Sequence, residues 1–160
     1  MDCRLWTLVS RSIETDRALS VMVDHAFADK LLPMGNHRDL QVWQRAYQFA
    51  GHVDRETRQL RRGHWELGDQ LRRAALSIPT NLAEGSSKGR DPEFLRFINI
   101  AVGSAAECDS LLAHAELVVA LDPGIGHELV EELTVIRKML FRLRSALQTP
   151  ARVTEPVTDT

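Results

Sequence analysis

The apolar residues near the end of the chain have the most regular spacing in the sequence and indicate an amphipathic α-helix. They follow one another at alternating steps of four and three: Leu129, Leu133, Ile136, Leu140, Leu143 and Leu147. Because an α-helix has about 3.6 residues per turn, this spacing places all six side chains on one face. Helices in water are stabilised mostly by covering such a face, so the pattern predicts packing against other helices.

Two further helices are predicted in the first half of the chain. The first extends from about Asp39 to Leu60. Its apolar face is predicted to consist of Leu40, Trp43, Tyr47, Ala50, Val53 and Leu60, widened by Val42, Ala46 and Phe49. The second begins near Trp65, and Gly85 and Gly89 are expected to stop it, because glycine accepts the left-handed conformation found at helix C-termini.

A third helix is predicted to begin at Asp91-Pro92, where aspartate can cap free N–H groups and proline fits the first turn. It carries a seam of residues seven apart, as in a coiled coil: Phe94, Ala101, Cys108 and Ala115. Asp122-Pro123-Gly124 is expected to end it. Short connections between successive long helices favour antiparallel neighbours, so residues 36–148 are predicted to form an all-α, antiparallel up-down-up-down four-helix bundle.

The segments on either side of the bundle lack this periodicity. Residues 149–160 are predicted to be a disordered tail. Two interpretations remain for residues 1–35: a weak amphipathic helix laid on the bundle or a partner, or a poorly ordered extension. In the second, Met34 could be the true initiator of the native protein.

Bulk composition limits the kind of protein. A chain of 160 residues and 18.0 kDa has room for one domain with one core, and its 44% hydrophobic content is that of a globular protein. The net charge of −2 gives no global reason to expect nucleic acid. Cys3 and Cys108 suggest no disulfide, so a reducing cytoplasm is predicted. No apolar run is long enough to span a bilayer, and no membrane partner is expected.

Three separated motifs resemble one known family. They are QLRRAALSIPTNLAEG at residues 70–85, LQVWQ at 40–44 and FLRFINIAVGS at 94–104. Together they resemble the bacterial four-helix-bundle proteins encoded in 23S rRNA intervening sequences, and the resemblance covers about residues 37–148.

The resemblance implies a function without catalysis. The family is similar to the accessory variability determinant of diversity-generating retroelements, a pentameric ring that binds RNA and a reverse transcriptase. We therefore expect a homo-oligomer, most simply a pentameric ring, acting as an RNA-associated accessory or scaffold factor. The alternative is an oligomeric adaptor that docks a partner enzyme such as a reverse transcriptase without touching RNA. The bundle departs from the basic accessory proteins, because residues 38–148 hold 15 Lys+Arg against 15 Asp+Glu.

The longest motif carries a proline inside a predicted helix. Pro79 removes one backbone donor and crowds the Ala75 carbonyl, which costs around 3 kcal/mol if uncompensated. We expect helix 2 to be kinked at Pro79, with Ser77 and Asn81 bonding to the disturbed turn. A structural role is thus predicted for the motif residues Ser77, Pro79, Asn81, Glu84 and Gly85. The alternative is that Ser77, Asn81 and Glu84 converge on a ligand.

Basic residues supply the candidate nucleic-acid surface. The candidates are Arg58, Arg61, Arg62, Arg72, Arg73, Lys88, Arg90 and Arg96. Arg72 and Arg73 have two interpretations: an ion pair with Glu84 or a helix-3 acid, or a bidentate phosphate contact. The other candidates could equally be an ordinary solvated face. Aromatic residues are scarce beside these arginines, except at His64 and Trp65, so recognition of single strands by base stacking is not expected.

Charge is segregated along the bundle. Residues 97–132 contain seven acids and no Lys or Arg: Glu107, Asp109, Glu116, Asp122, Glu128, Glu131 and Glu132. Residues 38–96 carry a net charge of +3 and residues 133–148 a net charge of +4. The acids are either a solvated face or, in a head-to-tail ring, the surface that meets a basic surface of the next subunit.

Residues for catalysis or metal binding do not occur in the required patterns. The chain has no Glu-x-x-His pair of the kind that di-iron bundles use, and its six histidines show no zinc spacing. No glycine-rich phosphate loop follows a strand. The sequence therefore predicts a protein that is not an enzyme and needs no metal or cofactor.

Overall fold

The computed structural model describes residues 36–60, 63–88 and 92–148. They form four α-helices: α1 (Gln41–Thr57), α2 (Trp65–Ser86), α3 (Pro92–Leu117) and α4 (Pro123–Gln148). A 3-10 turn, His37–Asp39, precedes α1. The described residues contain no strand, which confirms the all-α prediction. The interpretations of residues 1–35 and 149–160 lie outside the described residues.

The helices pack in cyclic order around one core. Each contacts its neighbours in sequence, and α1 also contacts α4, whereas in the diagonal pairs α1–α3 and α2–α4 no two Cα atoms lie within 8 Å of each other. Along the α2–α3 pair, Gly85 lies against Phe94 while Ser77 bonds to Ser104. Residue numbers therefore decrease along α3 in the direction in which they increase along α2, which fits the prediction of antiparallel neighbours.

The two most regular sequence patterns do form the core. On α3 the seam residues Phe94, Ala101, Cys108 and Ala115 are all buried. On α4 the buried residues are Leu129, Leu133, Ile136, Leu140 and Leu143, and Leu147 packs at the edge of the core. None of the described helices is long and apolar enough to cross a membrane.

The predicted face of α1 was centred wrongly. Val42, Ala46, Phe49 and Val53 are buried and form its centre. Trp43 lies at the edge of the core, and 58% of Tyr47 is exposed. The three residues expected only to widen the stripe, Val42, Ala46 and Phe49, therefore belong to the core itself.

Gly85 does not stop α2. The helix continues to Ser86, and a Cβ atom at Gly85 would lie 2.6 Å from Phe94 Cδ2 and 2.7 Å from Phe97 Cβ. The absence of a side chain therefore allows α3 to approach α2 closely. Glycine was read as a terminator when its role here is packing.

Asp122-Pro123 begins α4 and does not end α3. The Asp122 carboxylate accepts hydrogen bonds from the N–H groups of Gly124 (2.9 Å) and Ile125 (3.4 Å), which caps the helix. The end of α3 is made by Val119, whose φ of 52° is in the left-handed region. The N–H group of Val119 donates to the Glu116 carbonyl (3.1 Å), and the N–H group of Ala120 donates to the Ala115 carbonyl (2.9 Å). This pair of hydrogen bonds is the Schellman motif of helix C-termini. Valine is strained in this conformation because it is β-branched. Sequence rules that expect glycine at a helix C-terminus therefore do not predict that α3 ends here.

Candidate nucleic-acid interface

The structure separates the predicted basic residues into two groups. Arg58, Arg72 and Arg73 lie near the α1–α2 junction, and Lys88 and Arg96 near the α2–α3 junction. Because an α-helix rises about 1.5 Å per residue, the 16 residues from Arg72 to Lys88 separate the groups by roughly 24 Å. The remaining candidates, Arg61, Arg62 and Arg90, lie outside the described residues.

At the α1–α2 junction a buried threonine holds one arginine in place. The Thr57 hydroxyl donates to the Val53 carbonyl (2.7 Å) and accepts from Arg72 Nη1 (3.0 Å). Gly68 makes room for this contact, since a Cβ there would lie 2.8 Å from Leu60 Cδ1 and 3.3 Å from Thr57 Cβ. The Arg72 guanidinium is therefore positioned by the fold and remains partly exposed.

The ion-pair partners of these arginines differ from those predicted. Arg72 and Arg73 both pair with Asp69, at 3.6 and 3.3 Å, and not with Glu84 or an acid of α3. Spacings of three and four residues place these side chains on one side of α2, which favours ion pairs within the helix over pairs with more distant acids. Arg58 similarly pairs with Asp54, at 3.0 Å. Pairs this exposed contribute at most about 1 kcal/mol, so a phosphate group can compete for the guanidinium groups.

The α1–α2 junction also contains an open depression of about 410 Å³. It is lined by Asp54, Thr57, Arg58, Leu60, Trp65 and Arg72. Trp65 is 69% exposed. The depression thus combines guanidinium groups with an exposed indole, which are the groups that contact phosphates and bases.

The α2–α3 junction offers a smaller basic group. The Arg96 guanidinium lies 5.0 Å from the centre of the Phe97 ring, a cation–π contact that orients an exposed side chain. Lys88 is exposed two residues beyond the end of α2. Both cations are accessible to solvent.

The polar residues of the long motif bond to one another around Pro79. Asn81 Nδ2 donates to the Ser77 carbonyl (2.7 Å) and to Ser77 Oγ (3.0 Å). Ser77 Oγ in turn lies 2.8 Å from Ser104 Oγ on α3. Pro79 is fully buried, and Glu84 is exposed and does not take part in these bonds. The serine and asparagine therefore hold the turn around the proline and link α2 to α3.

An exposed aromatic stack on α1 was missed from the sequence. The rings of Trp43 and Tyr47 are stacked with centroids 5.0 Å apart and planes 13° apart. The His37 ring meets Trp43 edge-on at 4.9 Å. The spacing of four residues between Trp43 and Tyr47 was the available signal, but both had been assigned to the buried face. Trp65, which the sequence analysis named as an exception to the scarcity of aromatic residues near the arginines, lines the same depression as Arg72.

Cys108 is chemically protected. Burial, with smaller contributions from the charges of Glu107 and Asp109, raises the pKa of its thiol from 9.0 to about 12. A thiol with so high a pKa packs as a small hydrophobe. Within the described ranges, no cluster of three or more His, Cys, Asp or Glu side chains could hold a metal ion.

Comparison with known proteins agrees with the fold. No curated protein matches the sequence significantly. A family model described as the 23S rRNA-intervening sequence protein matches residues 38–142, which include almost all of the four helices. The chain therefore belongs to the 23S rRNA-intervening sequence protein family.

Proposed function

We propose that this protein is a non-catalytic, oligomeric factor that associates with structured RNA as an accessory or scaffold in the bacterial cytoplasm. The observation that carries the proposal is the group of Arg58, Arg72 and Arg73 at the α1–α2 junction. Thr57 positions one of these guanidinium groups, and their ion-pair partners among the described residues, Asp54 and Asp69, are partly exposed. Family membership supports the same assignment, since the family is named after an rRNA insertion.

Phosphate binding at this junction would exchange one set of ion pairs for another. Asp69 holds Arg72 and Arg73 in the free protein. An RNA phosphate can replace it, because guanidinium binds phosphate through two parallel hydrogen bonds. Salt would weaken this binding, since each neutralised phosphate releases counterions.

A gel-shift titration with a structured fragment of 23S rRNA tests the proposal. We expect binding at low salt, weakened by the double substitution Arg72→Gln/Arg73→Gln. The matched control is Arg137→Gln, which removes an exposed arginine that pairs with Asp109 at 2.8 Å on the α3–α4 side. No binding by the unmodified protein at low salt would overturn the RNA assignment.

A protein-docking adaptor is the second candidate. It is favoured by large apolar residues that are exposed on α2, α3 and α4 and at the α3–α4 connection: Leu76, Ile100, Leu117, Val119, Val130, Val135 and Phe141. Where exposed apolar residues adjoin in one patch, they mark a surface that binds other proteins. In this case the protein would dock a partner enzyme such as a reverse transcriptase without contacting RNA. Co-purification with a reverse transcriptase encoded beside its gene, in the absence of RNA, would support it.

Assembly as a homopentameric ring is part of the proposal. Helix α4 carries Glu128, Glu131 and Glu132 in its first half. Its second half carries Arg137, Lys138, Arg142 and Arg144. This order complements the helix dipole, and it also gives each subunit surfaces of opposite sign for head-to-tail contacts. Light scattering would decide, since a monomer at micromolar concentration contradicts the ring.

A further inference from the structure

Aromatic and basic side chains share the outer side of α1. We call this the α1 strip and define it as Trp43, Tyr47, Arg55 and Arg58. Steps of four residues from Trp43 through Tyr47 and Gly51 to Arg55 keep these positions on one side of the helix. The strip continues through Arg58 into the depression that contains Trp65 and Arg72.

Tyr47 presents a flat surface to solvent. One side of its ring is stacked on Trp43, yet 58% of the residue is exposed. Because Trp43 covers only one face, the other face is open to a second planar group. Trp43 itself packs against the core, so the stack has a fixed position on the helix.

Arg55 adds a cation to the same strip, about two helical turns beyond Tyr47. Its Nη1 lies 3.7 Å from the position that a Cβ atom would occupy at Gly51, one turn before it and one turn after Tyr47. The guanidinium therefore lies along the helix surface, in the direction of Tyr47. Arg55 is exposed and forms no ion pair with a carboxylate among the described residues.

Arg58 extends the positive charge along the same side. Its ion-pair partner among the residues that the structure describes is Asp54, and its side chain is 72% exposed. The 11 residues from Tyr47 to Arg58 span roughly 16 Å of helix. The strip thus offers an open aromatic face followed by two cations, which is the combination that binds a single strand of nucleic acid.

We propose that the α1 strip binds single-stranded RNA, with an unpaired base stacked on Tyr47 and the adjoining phosphates on Arg55 and Arg58. This inference rests on the proposed function and specifies the part of the RNA that is recognised. A double helix does not fit, because its bases are already stacked on one another. Two cations within three residues of each other favour a phosphate backbone over an apolar protein partner.

The test compares RNA affinities of the full-length protein and its variants by fluorescence anisotropy. The probes are a labelled 12-nucleotide uridine oligomer and a labelled blunt-ended RNA duplex. We expect Tyr47→Ala to weaken binding of the oligomer at least about fivefold, since a stacked base contributes that much or more. Tyr47→Phe, which keeps the ring, should bind within about twofold of the original.

Arg55→Gln should lower the slope of log affinity against log salt by about 1, as expected for one lost phosphate contact. Its matched control is Arg45→Gln. Arg45 is also exposed and without an ion pair among the described residues, and at 3.6 residues per turn it lies roughly 160° around α1 from Tyr47. An equal change of slope in both variants would overturn the inference, because it would show only diffuse attraction.

The remaining outcomes separate the inference from the proposed function. Binding of the duplex without binding of the oligomer overturns the strip and leaves the RNA assignment standing. Binding of neither overturns both. If Tyr47→Ala changes the mass measured by light scattering and not the RNA affinity, the strip is a subunit contact and the inference is wrong.

Discussion

Helices α2 and α3 pack by close approach, whereas α1 and α4 meet less extensively and share an ion pair at the surface. On the first side, Gly85 lies directly against Phe94 and Phe97. On the second, His52 Nδ1 and a Glu132 carboxylate oxygen are 3.3 Å apart, and the glutamate is about half exposed. Close packing requires particular residues, because even one added methyl group must displace its neighbours.

The residues of the long motif lie on the tightly packed side. Ser77, Pro79, Asn81 and Gly85 are all on α2, and Ser77 and Gly85 contact α3 directly. The α1–α4 side can change its surface charges at little cost, since exposed pairs contribute little to stability. The motif is thus explained by the requirements of one helix pair. Four measurements can test this comparison, beginning with the largest effect.

Cys108 should be almost unreactive in the folded protein. Its raised pKa lowers the thiolate fraction at pH 8.5 by about three orders of magnitude relative to an ordinary thiol. We expect iodoacetamide to label Cys108 only on unfolding, with mass spectrometry separating its peptide from that of Cys3. Since the folded state holds the proton more tightly, stability should fall as pH rises from about 9 towards about 12. Rapid labelling under native conditions would show that α3 is not closely packed.

Alanine should have opposite effects at two glycines of the α2–α3 pair. At Gly85 the new methyl group meets two phenylalanines, and we expect a net loss of about 1–2 kcal/mol in the free energy of unfolding. At Gly103 it meets nothing within 4 Å, so better helix propensity should stabilise the protein by about 0.5–1 kcal/mol. Urea denaturation at one protein concentration measures both. Stabilisation by Gly85→Ala would contradict the close approach of α2 and α3.

Removing the serine bridge should have a smaller effect. Ser104→Ala deletes the hydroxyl that lies 2.8 Å from Ser77 Oγ and that also donates to the Ile100 carbonyl at 3.1 Å. Asn81 still bonds to Ser77 in this variant, so we expect a loss of about 1 kcal/mol. A double-mutant cycle with Ser77→Ala should give a coupling energy of about 0.5 kcal/mol or more. Strict additivity would show that the two hydroxyls do not act together.

The smallest change is expected between α1 and α4. Glu132→Gln removes the carboxylate that pairs with His52, and the free energy of unfolding at pH 7 should change by less than about 0.5 kcal/mol. Thermal and urea denaturation both measure it. A loss larger than that of Ser104→Ala would reverse the comparison between the two sides.

The sequence predicted some parts of the fold well and others poorly, for identifiable reasons. The α4 leucines and the α3 seam were predicted correctly because one regular period left a single possible buried face. The α1 face was misplaced because apolar residues occupied more than half of the helix circumference, and only the positions of α2 and α4 select among them. Gly85 and Asp122-Pro123 were misassigned because glycine and proline have more than one structural role.

For the candidate site, the sequence identified residue types but not their arrangement. It named Arg58, Arg72 and Arg73 among its candidates without placing them together. It could not show that Asp69 holds two of them, nor that Lys88 and Arg96 lie at the other end of α2. The stack of Trp43 on Tyr47 also required the structure, because its exposure depends on how far α1 is rotated.

The sequence by itself determined that this protein is an all-helical member of the 23S rRNA-intervening sequence family, because apolar periodicity and the motif around Pro79 are local properties of the chain. Tertiary structure decided which side of each helix is covered. That choice depends on contacts between residues far apart in sequence, such as Gly85 with Phe97 or Thr57 with Arg72. It left the leucines of α4 inside and placed Tyr47 and the arginines of α1 on the surface, where RNA can reach them.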